Sequence, residues 1–259
     1  MATFLFDKIV FGPVKSRRLG VSLGINLLPN EVKLCNLNCI YCECGWSHKE
    51  TDVKPYFHDR RKVYEKLSER LRQMKDDGEV LDVITFAGNG EPTMHPDFEG
   101  VIEDTVELRN HFFPKAKIAV LSNATMLHKE SVVKALKKVD QNILKMDAAF
   151  DETIQLLNQP PKGFTVEKLM SQLKQFEGHF ILQTLFVKGR YQGQLLNNSD
   201  TRHVDAWLEK IKELRPGKVM IYTIARDTPA PGLSKVSPER LHEIAEKVEA
   251  LGIETQISE

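Results

Sequence analysis

A cluster of cysteines is the chemically most distinctive feature of the sequence. Residues 35–44 read CNLNCIYCEC, which places Cys35, Cys39 and Cys42 in a CxxxCxxC pattern with Cys44 two positions beyond. Three thiolates from one short loop can bind three irons of a cubane and leave the fourth without a protein ligand, whereas a purely electron-transferring cluster is saturated by four cysteines. The pattern therefore predicts a [4Fe-4S] cluster on Cys35, Cys39 and Cys42, with one iron open to a chelating ligand.

Zinc binding and disulfide formation are the competing uses of such cysteines. Zinc ribbons and fingers join two separated pairs of ligands, and a disulfide framework spreads its cysteines along the chain to close long loops. Clustered thiols favour cluster ligation in a reducing compartment, with a structural zinc site or a non-catalytic cysteine module that docks a partner as alternatives. For Cys44, an incidental loop thiol is favoured over a redox or hydrogen-donor role.

The overall charge limits the classes of partner. The 36 basic and 36 acidic residues give a formal net charge of zero, so no whole-molecule field attracts nucleic acid or anionic lipid. Lys15, Arg17 and Arg18 could form a local basic patch, although a solvated loop is the favoured interpretation. Asp7 and Lys8 interrupt the apolar N-terminal run, and no segment reaches the roughly 18 apolar residues of a membrane span. We therefore expect a cytoplasmic protein without membrane association.

The elements that must position the cysteines follow from the hydrophobic pattern. Apolar, β-rich runs alternate with segments of helical period, which predicts an α/β fold with a parallel sheet and right-handed crossovers. The sheet could close as a barrel or remain an open doubly wound sheet. Thr165 and Ser237 are predicted helix N-caps, and Gly178 and Gly252 are predicted left-handed residues at helix ends. The six predicted strands are Val21–Leu27, Val80–Phe86, Lys117–Leu121, Asn142–Met146, His179–Val187 and Lys218–Ile224.

In either closure the functional site lies at the carboxyl ends of the strands. The distinctive residues of the sequence follow four of the predicted strands. The cysteine loop follows the first, Gly88–Pro92 follows the second, Ser122 and Asn123 follow the third, and Asp147 closes the fourth. We therefore expect these residues to converge.

The cysteine motif resembles the CxxxCxΦC motif of the radical S-adenosylmethionine (SAM) superfamily. Six further segments occur in the order seen in the branch that includes the wyosine-type tRNA-modifying radical SAM proteins, and together they span about Gly12 to Leu233. The resemblance implies a partial (β/α)6 TIM-like barrel of the radical SAM type, formed as a single domain over residues 1–259 with the core barrel at about 19–252. The segments are GPVKSRRLGVSLGINLLP, TFAGNGEPTMHP, VLSNAT, KMDAAFDETIQLLNQP, LQTLFVKG and IYTIARDTPAPGL.

One departure distinguishes this chain from the wyosine enzymes. Those proteins have extra cysteines ahead of the barrel for a second cluster that handles pyruvate, whereas here every cysteine lies within residues 35–44. The chain is therefore identified as a single-cluster member. A glycyl-radical-enzyme activase is the alternative, but the segment GPVKSRRLGVSLGIN does not resemble the glycine-rich leader of those activases.

The resemblance also implies roles for individual residues in binding SAM. Tyr41 occupies the aromatic position that packs near the adenine. The turn after the second predicted strand corresponds to the glycine-rich turn whose backbone receives the methionine amino group, and a Cβ at Gly90 is expected to crowd the ligand. The end of the third strand corresponds to the polar region that meets the ribose and carboxylate. The turn consists of Gly88, Asn89, Gly90 and Glu91, and the strand end of Ser122 and Asn123.

The implied reaction is a reductive cleavage of SAM. The reduced cluster would pass one electron to SAM, and the resulting 5′-deoxyadenosyl radical would abstract hydrogen from a substrate at the barrel mouth. Such an enzyme needs a flavodoxin or ferredoxin-type electron donor. The substrate is unidentified; a small molecule or a peptide is favoured over RNA.

Four polar residues near strand ends are candidates for contact with the substrate. Lys145 and Asp147 are two residues apart, so the period of a strand directs both to one face. Gln183 lies within an apolar run, and Arg226 follows the last predicted strand. We expect Lys145 to lie nearer SAM and Asp147, Gln183 and Arg226 to contact substrate; the alternative is a Lys145–Asp147 ion pair that braces the barrel.

Overall fold

The computed structural model describes residues 4–16, 19–47 and 54–259. Its main element is an eight-stranded sheet in which seven strands are parallel and one edge strand pairs antiparallel with its neighbour. Within the described residues the two edge strands do not pair with each other, so the barrel is partial. In spatial order the strands are β1 (Val10–Ser16), β2 (Gly20–Ile25), β3 (Val83–Phe86), β4 (Lys117–Ser122), β5 (Gln141–Lys145), β6 (Ile181–Leu185), β9 (Lys218–Tyr222) and β11 (Glu254–Ser258).

Helices pack against one face of this sheet and form the main core with it. The stripe Val63, Leu67, Leu71 and Met74 is fully buried, as its helical spacing requires. Trp207 is the largest fully buried side chain, and its indole nitrogen donates to Thr184 at 3.1 Å. The helices are α1 (Arg60–Asp76), α2 (Phe98–Phe112), α3 (Glu130–Lys137), α4 (Asp151–Asn158), α5 (Val166–Leu173), α6 (Thr201–Leu214) and α7 (Pro238–Glu249).

The predicted helix ends are confirmed. The hydroxyl of Thr165 accepts from the Lys168 amide at the start of α5, and Ser237 caps α7 in the same way through Arg240. Gly178 and Gly252 have φ angles of +84° and +77°. Both angles lie in the left-handed region, where a side chain is disfavoured.

The opposite, concave face of the sheet has its own small apolar layer. Val83, Ala119, Ile143 and Met220 pack together there, separately from the core formed with the helices. Their positions alternate along the strands with residues that face the helices. The concave face therefore begins apolar at its amino-terminal end and meets the cysteine loop at its carboxyl end.

The α/β partial barrel expected from the resemblance is present, with two additions. All six predicted strands occur, but β11 adds a seventh parallel strand beyond residue 252, and β1 adds the antiparallel edge. The segment of β11, ETQIS, has one large apolar residue and is only half buried, so hydrophobic periodicity does not reveal it. The predicted strand Val80–Phe86 begins at Val83, and the predicted strand His179–Val187 ends at Leu185.

A second, three-stranded sheet begins just after β6 ends at Leu185. The chain continues from β6 into β7 (Val187–Tyr191), which pairs with β8 (Gln194–Asn197) and β10 (Leu233–Lys235). Val187, Leu196 and Leu233 of this sheet pack with Leu37 and Ile40 of the cysteine loop. The small sheet thus covers one side of the loop.

Two expectations about surfaces can be compared with the structure. Of the three residues of the candidate basic patch, Lys15 is exposed on β1, while Arg17 and Arg18 lie outside the described residues. No helix in the part of the chain that the structure describes is long and apolar enough to span a membrane.

Candidate active site at the carboxyl ends of the strands

The cysteine loop is held by backbone hydrogen bonds on two sides. Leu34 donates to the Asn89 carbonyl at 2.8 Å and accepts from the Glu91 amide at 3.1 Å, which joins the loop to the turn after β3. On the other side, Ile40 donates to the Leu157 carbonyl at the end of α4 at 3.0 Å. Two elements of the main fold therefore fix where the cysteines stand.

Gly90 is required by this junction. Its φ is +141°, and a Cβ built on it would lie 1.8 Å from the Leu34 carbonyl oxygen. A side chain at Gly90 was expected to crowd SAM; in the structure its first clash is with the cysteine loop. Gly88 is confined in a similar way, because a Cβ there would lie 2.3 Å from Oδ1 of Asn26.

All four cysteines line one cavity of about 320 Å³, which we call the cysteine cavity. Its volume is in the range of small-molecule sites. Among the described residues, no group of three or more His, Cys, Asp or Glu side chains is placed to hold a single metal ion. A cubane separates its sulfur ligands more widely than one ion does, so this finding concerns mononuclear sites. The donor set of Cys35, Cys39 and Cys42 in one roomy cavity fits a [4Fe-4S] cluster with space for a chelating ligand.

Two asparagines donate hydrogen bonds to the cysteine sulfurs. Nδ2 of Asn158 lies 3.3 Å from Sγ of Cys39, and Nδ2 of Asn123 lies 3.5 Å from Sγ of Cys35. Such donors to ligating sulfurs raise the reduction potential of a bound cluster. Sequence analysis did not identify Asn158, because the last residue of α4 has no local motif to mark it; it predicted Asn123 only as a SAM residue.

Lys33 is a buried cation beside the thiols. It is 6% exposed, and its Nζ donates to the Gly45 carbonyl at 2.9 Å. Burial alone would lower the pKa of Lys33, but Cys42 and Cys35 nearby raise it above its ordinary value. Lys33 therefore places a positive charge against the cluster ligands, and sequence analysis did not identify it.

The thiols themselves are in unequal environments. Burial raises the pKa of Cys35 to about 12 and also raises that of Cys39. A hydrogen bond from Cys44 holds the pKa of Cys42 down to about 5 against the effect of burial, and the same bond raises the pKa of Cys44. Sγ of Cys44 also lies 3.6 Å from the Gly88 carbonyl oxygen. Cluster ligation needs thiolates, and Cys42 is the most readily ionised of the four.

Glu91 is buried and its carboxylate is fully hydrogen-bonded. Oε1 accepts from the amide and hydroxyl of Thr93 and from the Ser122 hydroxyl at 2.8 Å, and Oε2 accepts from the Asn123 amide at 2.6 Å. Burial raises the pKa of Glu91, and the bonds from Thr93 oppose that rise. Glu91 thus ties the turn after β3 to the end of β4, with all three of Glu91, Ser122 and Asn123 on the wall of the cysteine cavity.

Asn89, a predicted SAM residue, does not face the cysteine cavity. Its side chain is fully buried, donates to the carbonyls of Phe6 and Pro29 at 2.9 and 2.7 Å, and accepts from the Phe6 amide at 2.8 Å. The amide of Asn89 therefore fastens the N-terminal segment and the turn together. Its short polar side chain satisfies buried backbone groups, a role that a glycine-rich pattern does not reveal.

Tyr41, Lys145 and Asp147 form one buried network at the wall of the cysteine cavity. Nζ of Lys145 donates to the Tyr41 hydroxyl at 2.7 Å and lies 3.4 Å from Oδ2 of Asp147. Tyr41 and Asn158 also donate to Oδ2, the latter at 2.7 Å, and the Leu185 amide donates to Oδ1 at 2.9 Å. Burial would lower the pKa of Lys145, but Asp147 raises it, so the lysine is held as a cation.

The four candidate substrate residues do not all face the cysteine cavity. Lys145, Gln183 and Arg226 line the cysteine cavity, whereas the Asp147 side chain is 0% exposed and does not line it. This placement favours the bracing ion pair over a contact of Asp147 with substrate. Arg226 is at the rim, with a side chain 63% exposed and paired to Glu43 at 2.6 Å. Tyr41 lines the cavity, as a residue near SAM would.

Comparison with known proteins assigns the chain to a protein family. A model of the radical SAM superfamily matches residues 32–182, which include the cysteine loop, the parallel strands β3, β4 and β5, and the start of β6. A protein named GTPase Obg from Brachyspira hyodysenteriae is 29% identical over 251 residues, 95% of this chain but 34% of that protein. A UPF0026 protein of Methanocaldococcus jannaschii is 28% identical over 94% of this chain and 70% of its own length.

A solved structure agrees on the fold. A radical SAM methyltransferase from Sphaerobacter thermophilus superposes with a TM-score of 0.66 at 13% identity, over 92% of this chain and 66% of that one. At this identity the likeness concerns the arrangement of strands and helices. It supports the partial barrel described above.

Proposed function

The chain belongs to the radical SAM superfamily, whose members use a [4Fe-4S] cluster and SAM, and from this premise we propose that it reductively cleaves SAM to start hydrogen abstraction from a small organic substrate. The observation that supports the proposal most strongly is the meeting of Cys35, Cys39 and Cys42 with the turn after β3 and the end of β4 around one cavity. A cluster that only transfers electrons would need no adjoining cavity of this size.

When bound, the reduced cluster and SAM supply a 5′-deoxyadenosyl radical. The protein supplies position, charge and exclusion of water. Cys35, Cys39 and Cys42 hold the cluster, and Lys33 lies beside them as a buried cation. The hydrogen bonds from Asn123 and Asn158 orient two of the three sulfurs.

SAM is proposed to occupy the part of the cavity between the turn after β3 and Lys145. Gly88 and Gly90 leave backbone accessible there, and Ser122 offers a polar edge at the end of β4. Tyr41, held in place by Lys145, provides a rigid aromatic wall. The apolar side chains Leu37 and Leu185 complete the lining and keep the radical from stray hydrogen donors.

The kinship with the wyosine-type branch and the need for a flavodoxin or ferredoxin-type donor also belong to the proposal. The order of motifs from the cysteine loop to IYTIARDTPAPGL supports the former. The absence of cysteines outside residues 35–44 in the sequence restricts the proposal to single-cluster chemistry, without the pyruvate-handling cluster of the wyosine enzymes.

The test is an anaerobic incubation of the reduced, reconstituted protein with SAM and fractionated metabolite pools. We expect one fraction to raise the rate of 5′-deoxyadenosine formation well above the rate without substrate. Peptide and RNA fractions serve as parallel arms. Stimulation by RNA alone would contradict the small-molecule assignment, and no formation of 5′-deoxyadenosine in any arm would contradict the proposed reaction.

A further inference from the structure

Gln183 directs a carboxamide toward the concave face of the sheet, and the residues that the structure describes offer this amide no hydrogen-bond partner. The residue is 6% exposed in the middle of β6, and its side chain bonds to none of the residues that the structure describes. Because the side chain lines a cavity instead of packing into the core, its amide is available to a ligand.

Gln183 also lies where the concave face changes from charged to apolar. In the strand register it lies between Lys145 of β5 and Met220 of β9. On the carboxyl side of this row the cysteine cavity contains charged side chains, Lys33 and Glu91 among them. On the amino side lies a second cavity of about 180 Å³, which we call the lumen cavity.

The lumen cavity is apolar and uncharged. Phe11, Leu19, Ile143 and Met220 form its walls, and no charged side chain is present among its described lining residues. Its hydroxyls have partners: those of Ser22 and Thr85 bond to each other at 2.8 Å, and Ser16 accepts from the Leu19 amide at 3.2 Å. Among the described residues that line this cavity, Gln183 therefore has the side-chain polar group that is free to bind a ligand.

The two cavities share a wall. Ala87, Leu121 and Gln183 line both of them. A molecule bound in the lumen cavity with a polar group at Gln183 would thus lie directly against the place proposed for SAM. That position is where a substrate must be for hydrogen abstraction.

We propose that the lumen cavity is the substrate's apolar subsite and that the part of the substrate bound in it is uncharged. Its apolar chain or ring occupies the lumen cavity, and a neighbouring carbonyl, amide or hydroxyl group hydrogen-bonds to Gln183. A phosphate or carboxylate is excluded from the part of the substrate inside the lumen cavity, because no charged side chain is present among the described residues that line it and burying an unpaired charge is far more costly than burying an amide. The inference rests on the proposed function and specifies its substrate class.

The probes are primary n-alkylamides from acetamide to octanamide, titrated calorimetrically into the reconstituted protein with SAM bound. We expect the Kd to fall about fourfold per added methylene until the lumen cavity is filled, as transfer of each methylene from water predicts, and then to level off. Hexanoate should bind at least tenfold more weakly than hexanamide.

Two variants locate the binding. Ile143→Phe fills part of the lumen cavity, so the Kd should stop falling at an alkylamide chain at least two methylenes shorter than in the parent protein. Gln183→Leu keeps the size of the side chain and should weaken hexanamide at least fivefold. Leu195→Phe, an equal enlargement at a site 74% exposed on β8, should change neither result. Iron content and melting temperature show whether each variant is folded; if Ile143→Phe is not, Gln183→Leu decides.

No dependence on chain length, or equal binding by Gln183→Leu and the parent protein, would overturn the subsite. The outcome is independent of the proposed reaction. SAM cleavage without chain-length dependence overturns the subsite alone, and chain-length-dependent binding to a protein that does not cleave SAM overturns the reaction alone.

Discussion

At the scale of single residues, the site consists of the three thiols proposed to ligate the cluster and the polar groups that surround them. Asn123 and Asn158 donate hydrogen bonds to cysteine sulfurs, and Lys33 places its charge beside Cys42 and Cys35. None of these interactions follows from the spacing of residues in the sequence. The charge and hydrogen bonds around cluster sulfurs set the reduction potential. These three residues are therefore where the protein adjusts the electron-accepting step.

Replacing Lys33 should change the cluster potential more than the cluster content. Lys33→Gln removes a buried positive charge beside Cys35 and Cys42, so the reduced cluster loses stabilisation. We expect the midpoint potential to fall by on the order of 50–100 mV, from a Coulomb energy of about 1–2 kcal/mol at an effective dielectric constant near 20. Redox titration followed by EPR measures the shift. Lys33→Arg, which retains the charge, is the control, and an unchanged potential in Lys33→Gln would refute this role.

Asp147 should act as a brace. In Asp147→Asn the amide cannot accept hydrogen bonds from Tyr41, Asn158 and Lys145 as the carboxylate does, and the Lys145 cation is left buried without its partner. Breaking such a pair costs about 3–5 kcal/mol, so we expect a comparable loss in the free energy of unfolding. Denaturant titration measures it. Asp205→Asn, which removes a surface pair with Lys247, should cost less than about 1 kcal/mol; equal losses would argue against the brace.

At the scale of elements, the cysteine loop depends on the turn after β3 and on the end of α4. The loop has no regular structure of its own, so these two anchors determine the positions of the thiols. The turn and the loop come very close together at Gly90, because a Cβ added to this residue would overlap the Leu34 carbonyl oxygen. The turn therefore acts on the cluster through the backbone.

Gly90→Ala should reduce cluster binding. The added Cβ, 1.8 Å from the Leu34 oxygen, forces the turn and the loop apart. We expect the iron bound after reconstitution to fall to less than half of that in the parent protein. Gly193→Ala separates this clash from backbone strain, because Gly193 also has a positive φ but nothing within 4 Å of its Cβ position. Full iron binding by Gly90→Ala would show that the anchor is dispensable.

The elements that the sequence predicts well are those with long apolar periodicity. The six inner strands and the caps at Thr165 and Ser237 follow from local residue patterns. β11 does not, since an edge strand that is only half buried needs few apolar residues. The cysteine ligands form a local motif, whereas the bracing roles of Asn89 and Asp147 depend on contacts with residues distant in sequence.

At the scale of the whole molecule, the partial barrel has two adjoining cavities, one after the other along its concave face. The cysteine cavity is charged and lies at the carboxyl ends of the strands, and the lumen cavity beneath it is apolar. The helices cover the other face with the main core, and the three-stranded sheet packs against the cysteine loop. This arrangement separates the proposed site of radical formation from the wall proposed to select the substrate.

The relatives place limits on how far this description extends. The chain spans 34% of the length of the Brachyspira relative and 70% of that of the Methanocaldococcus relative. The matched region nevertheless includes nearly all of this chain. The activity proposed for the cysteine cavity therefore concerns this matched region, and the activities and partners of the longer proteins are not carried over to this chain.

The most direct test of the central claim is the fate of SAM on the isolated protein. After anaerobic reconstitution we expect about four irons per chain, and after reduction with dithionite we expect slow formation of 5′-deoxyadenosine and methionine in equal amounts without added substrate. Cys44→Ser should retain the iron and the cleavage, while Cys35→Ala, Cys39→Ala and Cys42→Ala should lose both. Formation of S-adenosylhomocysteine in place of 5′-deoxyadenosine, or cleavage that survives the loss of Cys39, would contradict the account.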